Sequence, residues 1–307
     1  MKVLITGGAG FIGSHIVDKL VDKGYKVCVI DNLSTGNLNN LNKKVKLYEM
    51  DIRDNKLHEV FEKEKPNYVI HNAAQIDVQK SIQQPAFDGD VNIIGTINVL
   101  ENCVKHNVEK IIYPSSAAVY GVPEYLPVDE EHKVEPISYY GISKHTPEHY
   151  IKVYSELHNL KYTILRYSNV YGIRQDPKGE GGVISIFVDK VIEKQQPTIF
   201  GDGKQTRDYI YVEDVAEANL KAMESKKNGI YNISTNTKVD LNELYDKMKE
   251  IEKIDLDPLY GESRKGDIKH SSLDNSKAIN TLGWEPRFSL EEGLKRTIEY
   301  YNSKKAL

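Results

Sequence analysis

Apolar residues in this chain alternate between short continuous runs and longer stretches at helical spacing. Lys2–Thr6, Lys26–Ile30, Val45–Tyr48, Tyr68–His71, Lys110–Tyr113 and Tyr162–Leu165 carry runs of strand length. Between them, Phe11–Lys23, Lys56–Lys65, Asp88–His106 and Tyr140–Asn159 repeat apolar positions at a helical period. A βαβα order of this kind predicts an α/β fold, a parallel sheet with helices on both faces. After Gly172 the pattern changes. A Gly-rich loop (Lys178–Gly182) leads to a helix near Val183–Lys194, short strands near Thr198–Phe200 and Asp208–Tyr211, a helix at Glu213–Glu224, a strand at Ile230–Ile233 and two further helical segments. Asp240 with Glu243, and Ser289 with Glu292, have capping-box spacing and mark two of the late helix starts. The expected division is therefore a doubly wound domain over 1–172 and a smaller lobe over 173–307, with part of 206–233 returning to the sheet.

Composition narrows the class of partner. At 307 residues and 39% hydrophobic, the chain is long enough to bury a large core. Its net charge of −4, with charges of both signs interspersed, offers no basic stripe for nucleic acid. Residues 1–20 run straight into the first strand and no 18-residue apolar stretch occurs, so neither a secreted nor a membrane-spanning chain is expected. The two cysteines, Cys28 and Cys103, read as small buried hydrophobes rather than a disulfide, which fits a reducing cytoplasm.

Chemistry enters at the first strand-to-helix turn. Gly7, Gly10 and Gly13 form a G-x-x-G-x-x-G turn after the first strand and open the first helix. Lacking side chains, such residues let backbone N–H groups and a helix N-terminus approach a pyrophosphate. Asp31, at the end of the second strand, stands where an acid holds the adenosine ribose. A 2′-phosphate about 4 Å from that carboxylate would cost roughly 4 kcal/mol at an effective dielectric near 20. Asn32 follows, with no adjacent cation, so NAD is favoured over NADP. The fold expected is a Rossmann doubly wound parallel sheet with a smaller C-terminal substrate-binding lobe.

Tyr140 and Lys144 supply the candidate reaction centre, as a phenol paired with an ammonium takes a proton off an alcohol while a nicotinamide takes the hydride. Spacing alone selects nothing, since Tyr245, Tyr300 and Tyr301 are also followed by Lys four residues on. Position selects Tyr140. It opens the helix that follows the run ending in Ser115-Ser116, at the carboxyl edge where open α/β sheets bind ligands, and residues four apart share a helix face.

With these motifs in register, the chain resembles the extended short-chain dehydrogenase/reductase family, and within it the nucleotide-sugar 4-epimerases. The likeness spans almost the whole length. It rests on Gly7/Gly10/Gly13, Asp51-Ile52, His71-Asn72-Ala73-Ala74, Ser115 to Gly121, Tyr140-x-x-x-Lys144, Arg166 to Asn169, and Gly201-Asp202-Gly203 with Arg207-Asp208-Tyr209. The resemblance implies Tyr140 as general base, Lys144 on the nicotinamide ribose and lowering the phenol pKa, and Ser116 on the reacting hydroxyl. It implies cofactor contacts from Gly7, Gly10, Phe11, Ile12, Gly13, Asp31, Asn32, Asp51, Ile52, Ala73, Ala74 and Asn92. On the substrate side it implies Ser116, Tyr140 and Asn169, with Arg207 and Arg264 on the diphosphate and Phe200 against the uracil.

What it implies about the reaction is reversible epimerisation of a UDP-hexose at carbon 4 through a 4-keto sugar. Family dehydratases carry Asp-Glu after the Ser116 position, whereas this chain has Ala117 and Ala118, which cannot move a proton. Ser271 occupies a position where a large Tyr restricts the pocket to plain hexoses, so turnover of UDP-N-acetylglucosamine is expected as well. Epimerisation of UDP-glucuronate stays open, as does the choice between UDP and dTDP. Ile76 stands where some epimerases place a Lys on the cofactor diphosphate. By analogy the helices Asp88–His106 and Tyr140–Asn159 pair across a homodimer.

Two other classes are weighed against this. His145-Thr146-Pro147-Glu148-His149 fits H-x-x-E-H, a zinc-hydrolase pattern, but it starts beside Lys144 in a helix that Pro147 is expected to kink. No metal is expected, and a metal-content assay discriminates the two. A non-catalytic sensor of NAD or nucleotide sugar is disfavoured because Ser116, Tyr140 and Lys144 are all present.

Overall fold

Val3 and Ile5 project to one face of the first strand and Leu4 to the other, and all three are fully buried. A strand apolar on both faces must be covered on both. The computed structural model describes residues 1–177, 182–263 and 268–305. Its strands β1 (Lys2–Thr6), β2 (Lys26–Asp31), β3 (Lys46–Glu49), β4 (Tyr68–His71), β5 (Lys110–Ser116) and β6 (Lys161–Tyr167) are joined by a strand over Gly229–Ile233. These seven pair in the order Gly229–Ile233, β6, β5, β4, β1, β2, β3, every pair parallel. The chain changes winding direction between β1 and β4, which opens a crevice at their carboxyl ends.

Each face has its own core. On one, Ile16, Val17 and Leu20 of helix Phe11–Asp22 and Val215, Ala218 and Leu220 of helix Val212–Glu224 pack on Val3, Ile5, Ile70 and Ile112. On the other, Phe61, Val99, Leu100 and Ile151 cover Leu4, Val69 and Ile111 from helices Leu57–Glu64, Gly95–Lys105 and Tyr139–His158. Each such side chain contributes about 1.5–3 kcal/mol when fully buried.

A separate core of Phe187, Tyr209, Tyr211, Leu244, Met248 and Leu294 organises the later segments. There Asn169–Tyr171 pairs with Tyr209–Tyr211, Thr206–Arg207 with Val239–Asp240, and Thr198–Phe200 with Leu259–Gly261. Asp240 accepts the Glu243 N–H at 2.8 Å and Ser289 the Glu292 N–H at 3.2 Å, as their spacing predicts.

Several elements differ from the sequence reading. The stretch Asp88–His106 is helical but not α-helical throughout. It comprises the end of helix Pro85–Gly89, a π-helical turn Asp90–Ile94 and helix Gly95–Lys105. A short helix, Val78–Gln83, lies in a stretch without a full apolar stripe, started by the Asp77 carboxylate on the N–H groups of Gln79 and Lys80. The helix expected to kink at Pro147 is continuous from Tyr139 to His158. The expected strand Asp208–Tyr211 starts one residue later, at Tyr209, with Asp208 between it and the short strand Thr206–Arg207. Most of the Gly-rich loop, 178–181, lies outside the described residues.

Candidate active site

Gly7 turns the chain out of β1 at φ +70°, its N–H donating to the Ile30 carbonyl at 2.8 Å. A Cβ there would lie 2.7 Å from the Ala73 nitrogen, so its absence lets the end of β4 close against the turn. At Gly13 a Cβ would sit 2.0 Å from the Gly7 carbonyl oxygen. That glycine lets the helix settle on the turn and lies behind the cleft wall. The resulting cleft measures about 380 Å³. Of the expected cofactor residues, Gly7, Gly10, Phe11, Ile12, Asp31, Asn32, Asp51, Ile52, Ala73, Ala74, Tyr140 and Lys144 line it.

Asp31 is buried and braces the glycine turn. Its Oδ2 accepts the Ala9 N–H at 2.9 Å and its Oδ1 the Leu33 N–H at 2.8 Å. Burial pushes its carboxyl above the usual range, and those two backbone donors oppose the shift. Asp51 behaves oppositely. The Arg53 guanidinium grips both its oxygens, and the Asn32 amide donates to Oδ2 at 2.8 Å, holding its pKa down to about 2. Arg53 and Lys80 also line the cleft, at 5.4 and 4.7 Å from the centre of the Phe87 ring. Sequence spacing gave no sign of either, because neither sits in the glycine or Tyr-Lys motifs.

Behind the cleft, hydrogen bonds fix the floor. Ala73 N–H donates to Thr6 Oγ1 at 3.1 Å, and the Thr6 hydroxyl donates to His71 Nδ1 at 2.7 Å, the neutral ring carrying its proton on Nε2. His71 Nε2–H then donates to Thr96 Oγ1 at 3.0 Å, and that hydroxyl to the Asn92 carbonyl at 2.6 Å. Burial drives His71 down to about 3, which agrees with a neutral ring in this chain of donors. Asn92 does not line the cleft. Its amide exchanges hydrogen bonds with the Gln75 backbone, at 2.8 Å each, and donates to Ser143 Oγ at 2.9 Å.

That last bond reaches the helix of Tyr140 and Lys144. Ser138 caps it by accepting the Gly141 N–H at 3.0 Å, and Tyr140 N–H, one of the unsatisfied first-turn donors, reaches Ser81 Oγ at 3.2 Å. Ser143 Oγ donates to the Tyr140 carbonyl at 3.1 Å. One turn on, the Lys144 ammonium lies 4.5 Å from the centre of the Tyr113 ring, whose hydroxyl donates to the Lys144 carbonyl at 3.2 Å. Burial pushes Lys144 down from 10.5 to about 7, against the pull of Glu148 and Asp88. Ser116, at the end of β5, caps the short turn Ala117–Val119 by accepting the Ala118 N–H at 3.2 Å. Its neighbour Ser115 lines the cleft.

Three of the expected substrate residues, Asn169, Arg207 and Ser271, meet at the segment 206–208. Asn169 is held by the Asp208 carbonyl, through its N–H at 3.0 Å and its amide at 3.1 Å. Arg207 Nη1 donates to the Thr206 carbonyl at 2.9 Å, and Ser271 N–H donates to the same carbonyl at 3.1 Å. Ser272, next in sequence, accepts the Val128 N–H at 2.9 Å, so Ser271 lies between this segment and the loop that follows Ser116. Phe200 is part-exposed on its own two-stranded sheet. Arg264 lies outside the described residues.

The H-x-x-E-H residues have other partners. Glu148 is fully buried, receiving Arg166 Nε at 3.0 Å, Arg166 Nη2 at 2.6 Å and Ser115 Oγ at 2.7 Å. His145 Nδ1 lies 3.2 Å from its second oxygen, and His149 Nε2 lies 2.9 Å from His145 Nε2. Among the described residues, no group of three or more His, Cys, Asp and Glu is placed to hold a metal ion.

The site therefore joins a nucleotide cleft, built on a glycine turn, to a phenol and a lysine on consecutive helical turns. The sequence model of the NAD dependent epimerase/dehydratase family matches residues 3–234. The chain belongs to that family. A putative UDP-glucose 4-epimerase of Methanocaldococcus jannaschii is 52% identical over 299 residues, covering 97% of each chain. The UDP-glucose 4-epimerase of Thermotoga maritima, solved with UDP-glucose, superimposes at a TM-score of 0.97 with 47% identity, over 99% of this chain and 100% of that one. The Thermus thermophilus UDP-glucose 4-epimerase, solved with NAD, gives a TM-score of 0.93 with 40% identity, over 98% of this chain and 99% of the other. The glycine turn against Ala73 and the Asp31 carboxylate at the cleft fit the dinucleotide of the family's description.

Proposed function

We propose that this chain interconverts UDP-glucose and UDP-galactose by epimerising carbon 4. The observation that carries this reading is the convergence of Tyr140 and Lys144 on the cleft behind Gly7 and Ala73, with Ala117 and Ala118 following Ser116. When bound, NAD supplies the acceptor for the C4 hydride and its return to the opposite face of the 4-keto sugar. Tyr140 Oη takes the C4 hydroxyl proton as the carbonyl forms and gives it back to the same oxygen as the epimeric alcohol reforms. Lys144, as an ammonium, favours the phenolate that must accept that proton. Ser116 orients the reacting hydroxyl. No net oxidation results.

Asn169, Arg207 and Arg264 hold the nucleotide diphosphate in this reading, and Phe200 meets the uracil. Residues 1–172 carry the cofactor and the reacting end of the sugar, and the later segments the remaining contacts to the sugar nucleotide. Ser271 leaves room for an N-acetyl group, so UDP-N-acetylglucosamine is a second substrate. Support for a homodimer comes from helix Tyr139–His158, where Tyr139, Ile142, Tyr150, Val153 and Leu157 form an exposed stripe at spacings of three and four with Thr146. Buried, unbridged Cys28 and Cys103 accord with the cytoplasm.

The test is incubation of the purified, NAD-loaded protein with UDP-glucose and no added reductant. UDP-galactose is the expected product. A 4-keto-6-deoxy sugar, or no change, overturns the proposal.

A further inference from the structure

Asp88 is a buried carboxylate with no ion pair among the described residues. It is 1% exposed, and its Oδ1 accepts the Gln75 amide at 2.7 Å and the Asn92 amide at 3.3 Å. Its Oδ2 is buried without a hydrogen-bond partner among the described residues. A carboxylate left this way is costly unless a cation lies nearby. Across the packing between helices Pro85–Gly89 and Tyr139–His158 stands a buried cation, Lys144, which likewise makes no salt bridge among the described residues. The two helices pack together, and the Asp88 charge acts on Lys144.

Two negative groups act on Lys144. On its own helix, Glu148 also pulls the Lys144 pKa up, but its carboxylate is held on both oxygens by Arg166, whereas Asp88 has no such cation among the described residues; Tyr140 faces the cleft. From β4, His71 is neutral, and from β5, Tyr113 offers its ring face. A hydrogen-bonded path also ties Asp88 to both walls of the site. Gln75, its donor, lines the cleft, and Asn92 joins it to Ser143 beside Lys144.

We propose that Asp88 is a positioning residue that acts through Lys144, its unpaired carboxylate serving as the counter-charge that keeps that side chain an ammonium under working conditions. This rests on the reading of Lys144 as the cation at the reaction centre. It adds a group one layer behind the cleft, touching neither cofactor nor sugar. The buried position of Lys144 gives the counter-charge its importance, since burial carries its pKa down to about 7 even with Glu148 and Asp88 pulling upward.

The direct test is NMR titration of Lys144 in protein labelled with [ε-13C]lysine, its signal assigned by loss in Lys144→Arg. Titrations run in a Tyr140→Phe background, so that the phenol does not contribute, with and without NAD. Asp88→Asn keeps the shape and the hydrogen bond to Gln75 while removing the charge. The Lys144 midpoint is expected to fall by about one pH unit, the size of one buried charge several ångströms away. An unchanged or raised midpoint in a folded variant overturns the proposal. Should Asp88→Asn fail to fold, Asp88→Ser is titrated in its place with the same expectation. A midpoint below about 6 in the Asp88-intact Tyr140→Phe protein, outside the range that leaves a useful ammonium at neutral pH, overturns it with no Asp88 variant needed.

Neither readout uses the sugar reaction. A protein that fails to epimerise yet shows the shift contradicts the proposed substrate and leaves the role of Asp88 standing.

Discussion

Arg166 grips Glu148 with both ends of its fork, Nε to Oε1 at 3.0 Å and Nη2 to Oε2 at 2.6 Å, inside the layer between β6 and the helix of Tyr140. The same carboxylate takes the Ser115 hydroxyl, so three elements that converge on the reaction centre meet at one residue. The pair thus sets the distance between the strand end bearing Ser116 and the helix bearing Tyr140 and Lys144.

Removing one partner strands a buried charge. Glu148→Ala is expected to lower stability by about 3–5 kcal/mol, as for other broken buried pairs, measured by urea unfolding. Burial alone would raise the Glu148 pKa, but hydrogen bonds from His145, Arg166 and Ser115 hold it down to about 2, below its ordinary 4.5. A depressed carboxyl stabilises fully above its unfolded value and loses that contribution as pH falls toward the folded one. The advantage of the native chain over Glu148→Gln is therefore full above about pH 4.5 and shrinks between there and pH 2. An advantage that grew on acidification would contradict this assignment.

Much of this centre is legible in the amino-acid order. Gly7 follows β1, Asp31 ends β2, and Tyr140 and Lys144 lie in the first two turns of their helix, so local pattern places them at the sheet's carboxyl edge. Gly13 and Asn92 show where that logic stops. The resemblance implies both as cofactor contacts, and in the fold Gly13 makes a helix-to-turn contact and Asn92 locks Gln75 to Ser143. Asp88, Arg53 and Lys80 carry no such local mark. Their places depend on a π-helical turn and on the six-residue helix Val78–Gln83, where tertiary contacts outweigh the weak periodicity of the sequence.

Ser271 supplies a prediction about sugar choice. Its N–H is fixed to Thr206 and its neighbour Ser272 to Val128, so a larger side chain here cannot withdraw with the backbone. Ser271→Tyr is expected to lower turnover of UDP-N-acetylglucosamine by at least about tenfold while leaving UDP-glucose within a few-fold, measured as kcat/KM for each. Equal loss with both sugars counts against the assignment.

Leu157, 72% exposed near the end of the apolar stripe, tests the dimer. A charge placed in a dimer's apolar seam faces its own copy across the two-fold axis. Leu157→Glu is expected to shift sedimentation toward monomer with its thermal unfolding little changed. A native chain that sediments as a monomer at micromolar concentration removes the dimer altogether.

The central claim is that one hydride leaves carbon 4 and returns to it, with Tyr140 moving the accompanying proton. UDP-galactose deuterated at C4 provides the measurement, with the UDP-glucose formed in ordinary water analysed by NMR and mass spectrometry. Deuterium retained at C4, and turnover in Tyr140→Phe lower by about 10²–10⁴-fold, are the predicted results. Deuterium lost to solvent, or a Tyr140→Phe variant as active as the native chain, would contradict it.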